Sequence, residues 1–241
     1  MRLHRIAALV LGVAVGLAGL GGERAAAQVS KPAMSPWVEG HMTRGRLVAG
    51  LVPGEGGDRL MAGLEIQLGE GWKTYWRTPG SSGVPPNFDF KASRNAGTPT
   101  VLYPAPRRLA EPDGDVIGYK GRALFPIAFR ADDAAKPVEL KLTVELGVCK
   151  DICVPVTLNL ALALPQAPAP PPSLELAAAL DAVPRPADRR RSGDPVIERQ
   201  VATLKGDKPR VVFEAAFPAG TTGADLFVEA PDGAWVPFAV V

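Results

Sequence analysis

The sequence predicts an all-β protein: an immunoglobulin-like antiparallel sandwich, followed by a Pro-rich linker and a partial second β-domain. Three observations predict it. The 26 Gly and 25 Pro among 241 residues are too many helix breakers for a long helical bundle. Two segments, Val138–Leu146 and Val154–Leu164, alternate apolar and polar residues over nine and eleven positions. That period belongs to strands with one buried and one wet face. The remaining apolar runs are short and separated by Gly/Pro turns, as in a sandwich, although a small barrel shares the pattern. An apolar content of 46% excludes wholesale disorder.

Residues 1–27 read as a signal peptide. Arg2 and Arg5 precede an uncharged apolar run of 15 residues, Ile6–Leu20, and Ala25-Ala26-Ala27 supplies small residues for cleavage before Gln28. The run is shorter than the roughly 20 residues of a spanning helix, and no later run approaches that length. In a Gram-negative bacterium such a chain is exported to the periplasm, where disulfides form. Without the leader, 24 basic and 24 acidic residues remain. A neutral chain exerts no general electrostatic pull on nucleic acid, so no nucleic-acid partner is expected.

The first domain, residues 28–164, begins with strand candidates at Arg46–Val52 and Leu60–Leu68, the second showing alternation at Leu64, Ile66 and Leu68. Gly, Pro and Ser at Thr78–Pro86 mark turns. Ala123–Phe129 is a further strand, and Val138–Leu146 with Val154–Leu164 make a hairpin joined by Gly147–Cys153. Pro165–Pro172 then begins a Pro/Arg-rich linker over 165–193, extended and semi-rigid at its start, with one short helix over Leu174–Val183. The four arginines within Arg185–Arg191 read as a solvated stretch or a basic docking patch. Strands resume at Arg210–Phe217 and Asp225–Glu229, so 194–241 is expected to be a second β-domain, incomplete because so few strands make a thin core.

Chemistry concentrates in the hairpin loop. Cys149 and Cys153 are the only two cysteines, and Lys150-Asp151-Ile152 separates them. Two cysteines in an exported chain make one disulfide most simply. Closing a loop of about five residues stabilises by only about 2 kcal/mol in the chain-entropy model. An accessible bridge at a hairpin tip suits exchange better than stapling. Three readings stand at this point: a redox-active pair, a local staple, and metal binding. For a metal, cleavage leaves His41 as the only histidine, short of a closed zinc site. Cuprous copper would need the two thiolates plus Met42 or Met61, and no spacing specifies that, so no metal ligand and no cofactor are assigned. No nucleophile elbow accompanies His41, and Gly54–Gly57 lacks the Lys and Ser/Thr of a phosphate loop. A second cluster, Gly71-Trp72-Lys73-Thr74-Tyr75-Trp76-Arg77, holds three of the chain's fifteen aromatics and reads as a core strand or as a wall shielding the thiols.

The order of export signal, Gly-Trp-x-x-Tyr-Trp, Tyr103–Pro106 (Tyr-Pro-x-Pro), Gly118–Gly121 (Gly-Tyr-x-Gly) and Gly-Val-Cys-x-x-x-Cys-x-Pro resembles the periplasmic N-terminal domain of DsbD-type thiol:disulfide interchange proteins. It is most similar to the branch with the suppressor-of-copper-sensitivity B proteins, over about residues 35–164. The resemblance implies an immunoglobulin-like domain that receives electrons from a membrane-embedded domain. It passes them to periplasmic thioredoxin-fold partners, among them disulfide isomerases and cytochrome c maturation factors. Cys149 and Cys153 become the redox pair, with Cys153 forming the mixed disulfide and Cys149 resolving it. Tyr75 matches an active-site tyrosine. The stretch matching the family's cap loop, Asp113–Tyr119, has no phenylalanine, so Ile117 or Tyr119 takes the shielding role. The sequence shows neither a multi-span membrane region nor a thioredoxin domain, so either a membrane-embedded electron donor on a separate chain reduces this one or the chain is a truncated relative. Two other readings remain beside exchange: a non-catalytic β-sandwich adaptor with a structural disulfide, and a copper-handling module suggested by the branch's link to copper tolerance.

Overall fold

A computed structural model of the protein describes residues 33–80, 82–112, 114–164, 169–230 and 236–240. The leader at 1–27 and the first linker residues, 165–168, lie outside them. Two antiparallel sheets face each other. The first orders β1 (Ala33–Met34), β3 (Thr43–Val52), β4 (Arg59–Leu68), β10 (Arg122–Ala128) and β7 (Thr100–Val101), with β2 (Val38–Gly40) also pairing β3. The second orders β12 (Cys153–Leu164), β11 (Val138–Cys149), β5 (Lys73–Gly80), β9 (Val116–Lys120) and β8 (Arg107–Leu109), with β6 (Asn87–Asp89) pairing β11. This is the expected antiparallel sandwich.

The alternation seen in the sequence sets the layers. Leu140, Leu142, Val144, Leu146 and Val148 of β11 point inward with Leu158, Leu160 and Leu162 of β12. They meet Leu47, Leu64, Ile66, Phe125 and Ile127 of the first sheet. At the centre, the Phe125 ring lies 5.0 Å from Tyr119, 5.7 Å from Tyr103 and 6.2 Å from Phe88, two of the three edge-on. Such arrangements suit the aromatic quadrupole and add to the burial energy.

The first sheet is buried on both faces. Its outer side carries Val48, Val52 and Met61, covered by helix α1 (Leu174–Asp181) through Leu176. The stretch read as a spacer therefore docks. Leu51 N–H donates to the Pro171 carbonyl at 3.2 Å and Ser173 N–H to the Leu51 carbonyl at 2.9 Å. Ser173 then caps the helix by accepting from Leu176 N–H. A β-carbon on Gly63 would lie 2.5 Å from Leu176, so glycine permits the close approach of the helix.

Beside the helix, Glu65 is 1% exposed and accepts from Arg46 at 2.7 Å and Arg122 at 2.6 Å, while Arg122 also holds Glu175. Burial pushes the Glu65 carboxyl up, but hydrogen bonds from Arg46, Arg122 and Gln67 outweigh it and hold the pKa below the ordinary 4.5. A lowered folded pKa contributes stability that is complete above the unfolded value and is lost as pH falls through the folded one. Glu65→Gln is expected to cost about 3 kcal/mol near pH 7, because two arginines lose their buried counter-charge. Urea unfolding near pH 7 and near pH 3 checks this: the gap between wild type and variant should close in acid, and a gap independent of pH would rule the ion network out as its source.

Beyond the helix, β13 (Val196–Thr203) and β14 (Arg210–Ala216) pair with each other in a separate two-stranded sheet. Asp225–Glu229, expected as a strand, forms none. Its side chains bind the sandwich instead: Glu229 accepts from Arg77 and Thr78 at 2.7 Å, and Asp225 from Arg108 at 2.7 Å. Phe227 packs 6.0 Å from Trp76. A short apolar run between turn residues does not reveal whether a ladder partner exists.

Candidate redox site

The site is built where β11, β5 and β9 lie side by side. On β5, alternation turns Thr74 and Trp76 towards the core and Lys73, Tyr75 and Arg77 to the outer face of the second sheet. On β11, the inward positions end at Val148, so Gly147 and Cys149 belong to that outer face. Outer positions of β11 farther from the tip, such as Glu139 and Glu145, meet water. At the tip they do not, because Tyr75, Leu109, Val116 and Cys149 form a small buried cluster of their own.

Cys149 and Cys153 are directly opposed in the β11–β12 register, with Cα atoms 4.1 Å apart, and they form a disulfide. The Lys150 amide donates to the Ile152 carbonyl at 3.0 Å and closes the loop. The two sulfurs have different surroundings. Cys149 has β5 on its far side and is 1% exposed. Cys153 starts the outermost strand of the sheet and is exposed, next to Ile152 at 64% exposure. The Tyr75 hydroxyl lies 3.5 Å from Cys153 Sγ. A disulfide sulfur has no proton, so the phenol is the donor. Burial and the nearby Glu111 carboxylate both raise the Tyr75 pKa, which keeps it protonated for that role.

Tyr75 is covered by Gly83 and flanked by Val84. A β-carbon on Gly83 would lie 2.7 Å from the Tyr75 ring, and one on Gly147 would lie 3.3 Å from that ring and 3.0 Å from Val84. Glycine at both positions lets the ring lie flat between strand and loop. Gly118, opposite Tyr75, is under the same constraint: a β-carbon there would lie 2.1 Å from the Thr74 carbonyl oxygen.

The residues read from the sequence are thus distributed unevenly. Cys149, Cys153 and Tyr75 come together. Ile117 and Tyr119 do not join them, and the shielding role expected for them needs correction. Most of the stretch matched to a cap loop is strand β9, since 116–120 pair with β5, while position 113 lies outside the described residues. Alternation along that strand places Val116 on the disulfide side and turns Ile117 and Tyr119 into the core between the sheets. The Tyr119 hydroxyl donates to the Pro104 carbonyl at 2.8 Å, and burial raises its pKa, so it stays a neutral core phenol.

Two further residues were missed. Lys73 is opposite Cys149 in register, its side chain 5% exposed, and its ammonium is 3.0 Å from Glu111. A period-2 count along Gly-Trp-Lys-Thr-Tyr-Trp is the signal that would have put Lys73 and Tyr75 on one face. Nothing in it showed that this face would be covered.

Comparison with known proteins agrees with this geometry. Residues 52–165 match the family model described as thiol:disulfide interchange protein DsbD, N-terminal. No protein of curated function matches the chain in sequence. Among solved structures, the N-terminal periplasmic domain of ScsB from Proteus mirabilis is similar, with a TM-score of 0.50 and 21% identity, covering 81% of this chain and 90% of that one. At that identity the likeness speaks for the fold. The family match spans both cysteines, Tyr75 and the strands that hold them, so residues 52–165 resemble the DsbD N-terminal domain in sequence as well as in fold.

Proposed function

We propose that this protein is a periplasmic thiol–disulfide exchange domain that passes reducing equivalents to thioredoxin-fold partners, with Cys153 exchanging and Cys149 resolving. One observation carries the reading: of two bonded sulfurs at a hairpin tip, one is exposed and the other is buried beneath a protein surface. Exchange needs that asymmetry. A thiolate reaches one sulfur in line, and the other must stay close enough to displace it again. Exposed Ile152 and Val84 give the reachable sulfur an apolar rim against which a partner closes. Export by the 1–27 leader would place the domain where such partners act, with a membrane-embedded protein as its electron donor.

The test is the reduction potential of the Cys149–Cys153 pair in the mature protein, equilibrated with glutathione. A value between about −270 and −120 mV, the span of known exchange proteins, is expected. A value well below about −300 mV, the range of structural bridges, with the fold intact after forced reduction, would leave a structural disulfide and no exchange role.

A further inference from the structure

Lys73 is an anomaly on its sheet. Its side chain is 5% exposed, whereas Lys141, on the same outer face, is 39% exposed. Burying an ammonium costs several kcal/mol unless opposite charge compensates it. Compensation here is incomplete. In the strand register Lys73 lies between Cys149 on β11 and Lys120 on β9. Directly opposed like charges repel. Among the described residues a single carboxylate, Glu111, serves both cations, at 3.0 Å from Lys73 and 4.0 Å from Lys120. The row Cys149–Lys73–Lys120 therefore carries two positive charges against one negative. Among the described residues the other groups near it do not supply the missing anion: Tyr75 is held neutral, Lys150 adds a cation lying across Gly71, and Asp151 sits at the loop tip. As half of a disulfide, Cys149 carries no charge. As a thiolate, it would complete the row.

We propose that Lys73 is a positioning residue for exchange: its ammonium, anchored by Glu111 beside Cys149, offsets the negative charge that Cys149 Sγ acquires whenever the disulfide opens. The inference rests on the exchange reading above. In the reductive direction, a thiolate of a thioredoxin-type dithiol attacks Cys153 Sγ and forms a new S–S bond. The Cys149–Cys153 bond breaks, and its electron pair leaves on Cys149 Sγ, next to Lys73. The partner's second thiolate then attacks the partner sulfur of the mixed disulfide and releases Cys153 as a thiolate, which takes up a proton. The partner is oxidised to a disulfide and this protein is reduced. In the reverse direction, Cys149 thiolate is the resolving nucleophile. Lys73 acts on the same atom in both directions, which suits a reversible carrier.

The experiment titrates Cys149 by thiolate absorbance in full-length Cys153→Ser protein, where it is the remaining thiol. Adding Lys73→Met should raise the midpoint by about one pH unit, a tenfold loss in ionisation. Adding Glu111→Gln should lower it, because the cations lose their competing anion. With both cysteines present and at a pH above the Cys149 midpoint of either protein, Lys73→Met should lower the equilibrium constant for reduction by glutathione about tenfold, equivalent to about 30 mV. A merely structural role would not move two variants in opposite directions. An unchanged midpoint in folded Lys73→Met protein, or an upward shift in Glu111→Gln, overturns the proposal. Where Lys73→Met does not fold, Glu111→Gln decides alone. The titration needs no exchange partner, so it can fail while the potential supports exchange, or succeed while the potential denies it.

Discussion

Cys149→Ser is expected to turn the protein into a trap for its partners, whereas Cys153→Ser should leave it inert. The two cysteines are four positions apart in sequence and opposite each other in the ladder, so their difference comes from their neighbours. In Cys149→Ser the remaining thiol, Cys153, is exposed at the end of the outermost strand and can form a mixed disulfide that no internal thiol resolves. In Cys153→Ser the remaining thiol is 1% exposed beneath Tyr75, Leu109 and Val116. If reaching it requires a local opening of about 3 kcal/mol, alkylation slows about a hundredfold. Mass spectrometry after exposure to a thioredoxin-fold disulfide, with alkylation rates for both variants, reads the outcome. Equal rates would mean that the buried and exposed assignments do not govern reactivity. A faster Cys149 would reverse the two roles.

The second large effect concerns the centre of the sandwich. Phe125→Ala is expected to destabilise the protein by about 4 kcal/mol, the usual range for emptying a buried phenylalanine site. Phe125 is 1% exposed and is surrounded by the rings of Phe88, Tyr103 and Tyr119, from strands and loops of both layers. Removing it leaves three large aromatic rings facing a void that stiff strands cannot close. Against a total stability of about 5–15 kcal/mol this is a large fraction, and the melting temperature should fall by roughly 10 °C. Thermal and urea unfolding of the oxidised protein measure it, with Ile152→Ala at the exposed rim as a near-neutral control. A loss below about 1 kcal/mol at Phe125 would mean that the two sheets are not packed around that ring.

Much of this was legible because strand alternation is a direct physical record of two faces. Val138–Leu146 and Val154–Leu164 announced a hairpin, and β11 and β12 pair in register from Val138↔Leu164 to Cys149↔Cys153. The short helix read over Leu174–Val183 forms at Leu174–Asp181, with Ser173 as the cap that the structure adds. Errors arose where pattern and partner diverge. Asp225–Glu229 holds a short apolar run, Leu226–Val228, but has no neighbouring strand, and its carboxylates pair with Arg77 and Arg108. The Pro-rich stretch looked free, yet Leu176 is fully buried, which ties its end to the first sheet. The shielding assignment failed on parity. Once 116–120 are a strand, a one-residue step decides between core and active face, and Val116 rather than Ile117 or Tyr119 meets the redox cluster.

By itself the sequence determined the layer chemistry, the hairpin, and the pairing of two cysteines that have no other cysteine to choose. Those follow from local periodicity and from counting, neither of which needs a third dimension. Only the tertiary structure decided which sulfur is reachable. Cys149 is flanked by β5 and Cys153 by solvent, and strand order within a sheet is a long-range property of the fold. The same holds for Lys73. It is an ordinary outward lysine until β11, β9 and Glu111 close around it, and a charge acquires chemical consequence from the water it loses.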